Sequence, residues 1–436
     1  MSLRTRLDAF SDDVRLREPR RTRRMVRGIC LVLAVLALWP LLPGSFAPVL
    51  VPALSPFVAV AAMLATRTFH AMVWLGLMVG AAALLRHRLF CRWVCPAGSC
   101  MDGASRLGRR LGRRTARFPL LGRWIVGLTL GGACLGYPFL LWLDPLARFA
   151  GLFALGGRGP GLGLGLSVAG FLALLMLDLL YPNVWCACLC PLGAFQDLLS
   201  SLSGAFRSVL RREDDDLKGT GGIVKPRHAA ALVCTGPARA SKETPYGVTT
   251  NRRHMLLAAA AGAAWGGMGR LHRQKTSRPL RPPGALEERT FRGVCTRCGN
   301  CVRACPSGIV ARELGHSGLA SLLTPVLSFR EGYCREDCVR CTEACPSGAL
   351  TRLSLEMKPS VRLGLPRVDM DVCLLADDRE CSVCRSRCPY NAIRYVFSET
   401  DYTLTPQIDR EKCTGCGACE AACPTAPHKA IVVLPT

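Results

Sequence analysis

Acidic residues are scarce in this chain: 31 Asp and Glu stand against 56 Lys and Arg, a formal net charge of +25. Such an excess points first to nucleic acid. Aromatic residues that would stack bases make up only 7% of the chain, and no aromatic-studded basic platform is present. Nucleic acid is therefore not expected as a partner. Histidine is scarcer still, with 7 residues, and no apolar segment carries the paired histidines that would hold a haem. Positive charge is itself missing from particular stretches. Pro43 to Pro56 contains no Lys or Arg, and the loop with Gly156, Gly157, Gly159 and Gly161 contains almost none.

Cysteine is what the chain has instead, and one cysteine pattern recurs four times. The copies are Cys295, Cys298, Cys301, Cys305; Cys334, Cys338, Cys341, Cys345; Cys373, Cys381, Cys384, Cys388; and Cys413, Cys416, Cys419, Cys423. Each last cysteine precedes a proline: Pro306, Pro346, Pro389 and Pro424. Copies one and four have the C-x2-C-x2-C-x3-C-P run of bacterial ferredoxins, and the other two lengthen only the first gap. Three closely spaced cysteines let a loop wrap three corners of an iron–sulfur cube, and the fourth reaches a neighbouring cube. Zinc sites need paired doublets without the trailing proline, and a disulfide framework would not repeat one spacing four times. Sixteen ligands imply four [4Fe–4S] clusters and a domain that conducts electrons. At about two negative charges per oxidised site, the clusters would offset roughly a third of the basic excess.

Half of the residues are hydrophobic and the mean hydropathy is positive, which points to membrane spans. A basic N-terminus, 1–27, ends in Arg20, Arg21, Arg23, Arg24 and Arg27. Four spans are expected at Gly28–Leu42, Phe69–Leu85, Leu120–Leu143 and Leu162–Tyr181, with Phe57–Ala65 as a short interfacial helix. No small-residue cleavage site follows the first, and more apolar segments do, so it is not read as a signal peptide. Charge places both ends of the four-span unit inside and the two uncharged loops outside.

Spans two and four both run into a related motif: Cys91-x3-Cys95-Pro96 with Gly98, and Cys186-x3-Cys190-Pro191 with Gly193. Four cysteines at one face suffice for one cluster, for a dithiol pair, or for no ligand; the duplication favours a redox or ligand role. Cys30, Cys100, Cys134, Cys188 and Cys234 lack such a pattern and are read mostly as packing residues. Among the few ionisable groups in or near the spans, Asp178 is the leading functional candidate. Asp144 reads as a turn residue before Pro145, and His70 as wet at the interface.

A polar linker, 205–250, precedes Arg252-Arg253 and an Ala- and Gly-rich run. Segment 251–270 is similar to a twin-arginine export signal, and Ala261-Gly262-Ala263 could serve as a cleavage site. Clusters are assembled inside the cell, so a ferredoxin domain working outside must cross already folded.

On these residues, 28–200 resembles the membrane subunit of the periplasmic nitrate reductase quinol dehydrogenase (NapH type). Residues 250–436 resemble its four-cluster ferredoxin partner (NapG type), and the methylamine-utilisation ferredoxin pair is equally similar. The shared features are the two Cys-x3-Cys-Pro motifs, Asp144-Pro145, Asp178, Arg252-Arg253, the seven-residue first gap of the third cluster motif, and the chain's last stretch from Cys413. Three features depart from the pattern: the two proteins are fused, the second motif reads C-x3-C-x2-C, and the cytoplasmic ferredoxin pair after the fourth span is missing. Spacing alone allows copy one to pair with two and three with four; the resemblance and the longer first gaps of copies two and three suggest nesting instead, one with four and two with three.

The expected architecture is a four-span α-helical membrane domain (28–204) joined to an α+β bacterial-ferredoxin-like domain (271–436) with four clusters. Its expected role is to carry electrons from quinol to a periplasmic redox partner, as a multi-pass protein of a bacterial inner membrane. A maturation factor for a periplasmic metalloenzyme and a membrane-tethered cytoplasmic polyferredoxin are the alternatives. The hydrocarbon layer, about 30 Å thick, would separate the Cys-x3-Cys-Pro motifs from an outer ferredoxin. Quinol is therefore expected to reduce the outer clusters directly, with the motifs structural, regulatory or part of a thiol relay.

Overall fold

A computed structural model describes residues 20–39, 47–85, 88–114, 118–154, 161–203, 252–271, 278–377, 379–399 and 402–435. The linker expected at 205–250, with Cys234, lies outside these residues. The N-terminal half is helical. Helix α1 (Arg20–Leu38) starts among the arginines, ahead of the expected span. Helices α2 (Ala47–Ala53) and α3 (Pro56–Thr66) meet at 85°. Pro56 opens α3, and Ser55 caps it by accepting the Val58 N–H at 3.3 Å. Phe57, Val58 and Ala61 are buried. The expected interfacial helix Phe57–Ala65 is thus a core element, the second arm of a bent pair.

After α4 (Val73–Leu85), α5 (Leu89–Trp93) and α6 (Pro96–Arg110) comes α7 (Leu121–Cys134). It stops well short of Leu143, because Gly136 turns the chain in a left-handed conformation (φ 81°) and Pro138 follows. Helix α8 (Pro145–Gly151) leads to α9 (Leu162–Leu180). A single π turn, Trp185–Leu189, then enters α10 over 191–203. Among the described residues α9 alone is one continuous helix long and apolar enough to cross a membrane; α2 and α3 taken together would make a second. The 13 residues of α4 reach only about 20 Å of a hydrocarbon layer about 30 Å thick.

Helix α11 (Arg252–Leu271) runs alongside α7. Small residues let the backbones touch: a Cβ on Gly131 would fall 2.0 Å from the Ala259 carbonyl oxygen, and one on Gly262 would fall 2.2 Å from that of Leu128. Leu256, Leu257 and Trp265 face outward. The cleavage site considered at Ala261-Gly262-Ala263 lies in the middle of this packed helix, where no extended loop is available for cutting.

The C-terminal half is α+β, as expected. Three antiparallel two-stranded ribbons pair β1 (Val310–Arg312) with β2 (Pro325–Leu327), β3 (Leu365–Val368) with β6 (Ile431–Leu434), and β4 (Ile393–Ser398) with β5 (Thr403–Ile408). Helix α12 (Glu288–Val294) leads into the first cysteine loop. The third cysteine of each motif rides on a helical turn: Cys301 in Asn300–Ala304, Cys341 in Arg340–Glu343, Cys384 in Val383–Ser386 and Cys419 in Ala418–Ala422.

Candidate iron–sulfur sites

Cysteines from neighbouring motifs close around one another. Cys295, Cys298 and Cys301 share a small cavity with Cys345, and Cys334, Cys338 and Cys341 share one with Cys305. Cys373, Cys381 and Cys384 meet Cys423. The thiols of Cys413, Cys416 and Cys419 lie within electrostatic reach of Cys388. Pairing is therefore sequential, one with two and three with four, and the expected nesting is corrected. The physical reason is local: the Leu286 N–H bonds to the Ala349 carbonyl at 3.1 Å and Ser328 to Ile309 at 2.9 Å, stitching copies one and two together. The two pairs touch through copies two and four, where the Cys334 N–H donates to the Cys416 carbonyl at 2.8 Å.

These residues fit iron–sulfur cubes. Three of the cages enclose about 20 Å³ each. Burial pushes the Cys295 thiol up to about 12 and the Cys416 thiol up to about 11. A thiolate there needs a cationic partner such as cluster iron. Cys423 differs: burial would raise it, but bonds from the Thr425 hydroxyl and from backbone N–H groups hold it below its ordinary value. Between Cys298 and Cys301, Gly299 adopts φ 73° and lies so close to Ala154 that a Cβ would come within 2.5 Å of it.

The helical half holds a second constellation. Cys91, Cys95, Cys186 and Cys190 line one cavity of about 280 Å³, with Arg27, Arg88, Asp102, Pro145, Asp178 and Trp185 also in its wall. Both motifs are built alike. Cys95 caps α6 and its sulfur accepts the Gly98 N–H at 3.3 Å; Cys190 receives a backbone N–H from Gly193 in the same way. Helix N-termini turned toward sulfur favour thiolate or an anionic cluster. Arginines lock both loops. Arg27 donates to the Gly98 carbonyl at 2.7 Å and to Asp102 at 3.0 Å, and Arg88 donates to the Cys186 carbonyl at 3.2 Å while paired with Asp197. Spacing gave no hint of these two arginines, which read simply as cytoplasmic flanks. Of the unpatterned cysteines, Cys188 is buried as expected, whereas Cys134 is exposed.

Asp144 is corrected from a turn residue to a buried cap. Its carboxylate accepts the Leu146 and Ala147 N–H groups at 3.0 and 3.1 Å and the Ser55 hydroxyl at 2.6 Å, tying α8 to the break between α2 and α3. Asp178 is buried; one oxygen accepts the Trp185 N–H at 2.8 Å, and the other has no partner. His70, expected to be wet, is half-buried, bonds to Thr68 at 3.0 Å and abuts Gly348 of the C-terminal half.

The two halves interlock. Arg312 donates to the Gly151 carbonyl at 2.8 Å, to the Gly163 carbonyl at 2.9 Å and to the Ser167 hydroxyl. Asn300 donates to the Pro48 carbonyl at 3.2 Å, and Arg303 to that of Leu38 at 2.9 Å. Helix α8 thus has Pro145 in the wall of the four-cysteine cavity and Gly151 against the backbone of Arg297 and Cys298. Its seven residues span roughly 10 Å at 1.5 Å per residue. The expected full-bilayer gap between the Cys-x3-Cys-Pro motifs and the ferredoxin half is corrected accordingly, because the capped short helix carries the connection inward.

Comparison with known proteins fits this geometry. A model described as a 4Fe-4S dicluster domain matches residues 294–349 and 379–426, one match for each sequential pair. A model described as a 4Fe-4S binding domain matches 68–114 and 164–209, which contain the two Cys-x3-Cys-Pro motifs. The methylamine utilization ferredoxin-type protein MauM of Methylobacillus flagellatus is 36% identical over 164 residues, covering 36% of this chain and 68% of that protein. The ferredoxin-type protein NapG of Escherichia coli is 37% identical over 194 residues, covering 41% and 82%. NapF of Haemophilus influenzae is 32% identical over 145 residues, covering 33% and 74%. No solved structure matches the chain. The chain belongs to the family of ferredoxin-type proteins that includes NapG and MauM, and it is an iron–sulfur electron-transfer protein.

Proposed function

We propose that the chain is a membrane-bound carrier that takes electrons from quinol and passes them to a redox partner on the periplasmic side. The sixteen ferredoxin cysteines would hold four [4Fe–4S] clusters, in the four sets given above, and Cys91, Cys95, Cys186 and Cys190 would hold a further iron–sulfur group. When bound, such groups supply one-electron exchange; the chain supplies their spacing and burial. The single observation that carries the reading is α8, which joins the four-cysteine cavity of the apolar half to the first ferredoxin loop.

Membrane residence is supported by side chains that point away from the helical core: Leu33, Leu36, Trp74, Met78, Leu172 and Met176 are all more than half exposed. The outer placement of the ferredoxin half is supported by α11. It lies parallel to α7, with His254 stacked on Trp124 near the charge-rich end and Trp265 near Phe139 at the other. Full-length protein purified without oxygen should carry about sixteen irons or more and become reduced on addition of a hydroquinone. Stoichiometric zinc without iron would refute the cluster assignment.

A further inference from the structure

The four ferredoxin cages, numbered by the copy that gives each its first three cysteines, differ in the cations around them. Three arginines crowd the first. Arg297, between Cys295 and Cys298, donates to the Ala320 carbonyl at 2.9 Å, and its guanidinium lies 4.9 Å from the Trp142 ring. Arg303, on the turn that carries Cys301, donates to the Leu38 carbonyl and to the Asn300 side-chain oxygen, both at 2.9 Å. Arg312 on β1 covers the cysteine loop itself: a Cβ on Gly299 would fall 2.7 Å from its terminal nitrogen. Arg297 is within electrostatic reach of Cys295, Arg303 of Cys298, and Arg312 of Cys298 and Cys301. Their hydrogen bonds all go to neutral oxygens, and among the described residues no carboxylate pairs with any of the three.

The other cages are more sparsely supplied. Buried Lys358 donates to the Arg335 and Cys338 carbonyls beside the second, and half-buried Lys429 to the Cys423 carbonyl beside the third. Arg362 near the fourth and Arg385 near the third are exposed, so water and salt screen them. Reduction adds an electron to a cluster, and a nearby positive charge without its own counter-ion stabilises the reduced form more than the oxidised one. We infer that Arg297, Arg303 and Arg312 set the first cluster at the highest reduction potential of the four, so that it fills first, at the seam with the helical half. The inference rests on the cluster assignment proposed above and deepens it by naming where electrons are first held. Arg303 and Arg312 also bond backbone carbonyls of the helical half, so the same side chains dock the halves and tune the cluster between them.

The test is a redox titration of the full chain in lipid discs, without oxygen, followed by electron paramagnetic resonance. Cys298→Ser removes the first cluster and so identifies its signal, which in wild type should appear at the highest potential of the four ferredoxin clusters. Arg303→Gln and Arg312→Gln should each lower its reduced-to-oxidised ratio at a fixed potential by about tenfold, or about 59 mV for a one-electron couple, and leave the other three in place. Arg303→Lys, which keeps the charge and loses the fork, should hold most of the wild-type potential. Iron content and thermal melting report the folding of each variant separately. A first cluster that is not the highest, or an unmoved potential in iron-replete variants, would overturn the inference. A fall in stability without a shift, with Arg303→Lys no better than Arg303→Gln, would overturn it too, since the arginines would then be seam contacts only. The expected shift in protein that no hydroquinone reduces would uphold the tuning and sink the quinol reading instead.

Discussion

At the scale of single residues, the exchange of fourth cysteines makes a clear prediction. Cys298→Ser and Cys345→Ser should each cost about four irons, and the double variant should lose the same four. If Cys345 belonged with Cys334, Cys338 and Cys341, the double variant would lose about eight. Iron analysis separates the two. A second prediction concerns Glu288, held between Arg281 and Arg292 at 2.7 and 2.5 Å. Burial alone would raise its carboxyl, but the hydrogen bonds and charge of Arg281, then of Arg292, hold it below the ordinary 4.5. A depressed carboxyl stabilises the fold above that ordinary value, and the contribution fades as pH falls through the lowered one. Glu288→Gln should therefore cost about 1–3 kcal/mol at neutral pH. Its difference from wild type should shrink below pH 4.5 in denaturant melts; a constant difference across pH would contradict the ion-pair account. The cysteine motifs were legible from spacing alone because three ligands on one short loop leave little choice of chemistry. Which motif lends its fourth cysteine was not legible: the intervals are alike, and the deciding contacts, such as Leu286 with Ala349, are single backbone bonds with no sequence signature.

At the scale of elements, the bent pair α2–α3 and the short α8 escaped the sequence reading for a related reason. The helix at Phe57–Ala65 is legible as a separate element, but the proline-spotted stretch before it hides α2 and the bend between the two. The break depends on Ser55 and Asp144, 89 positions apart, meeting through one hydrogen bond. Asp144→Ala removes the cap of α8 and should destabilise the helical half by about 1–2 kcal/mol, measured by thermal unfolding; no change would mean that α8 is held by packing alone. The contact of α7 with α11 makes a separate claim. Its small residues were visible in the sequence, but their partner was not, because 205–250 intervenes. Gly131→Val inserts atoms where the Ala259 carbonyl already sits and should cost about 1–3 kcal/mol. The expected outcome is faster proteolysis within Arg252–Leu271, and unchanged digestion would speak against the packed pair.

At the scale of the whole molecule, the proposed reading puts the ferredoxin half outside, with α8 bringing the cysteine cavity to within one short helix of it. Changing Arg252 and Arg253 to Lys should strand the ferredoxin half inside; a reporter active only when folded and exported, fused after Thr436, would fall silent. The sequence conveyed this two-part plan through composition, since apolar runs and cysteine repeats occupy different halves. It did not convey that the halves interlock, because Arg312, Asn300 and Arg303 reach backbone carbonyls, which every sequence possesses. The interlock matters because it joins the two redox-capable regions into one body. The most direct measurement is electron paramagnetic resonance of the full chain in lipid discs, frozen after anaerobic addition of a hydroquinone. Reduced-cluster signals matching a substantial fraction of those produced by dithionite are predicted. Signals from dithionite alone, in iron-replete and correctly inserted protein, would contradict the account.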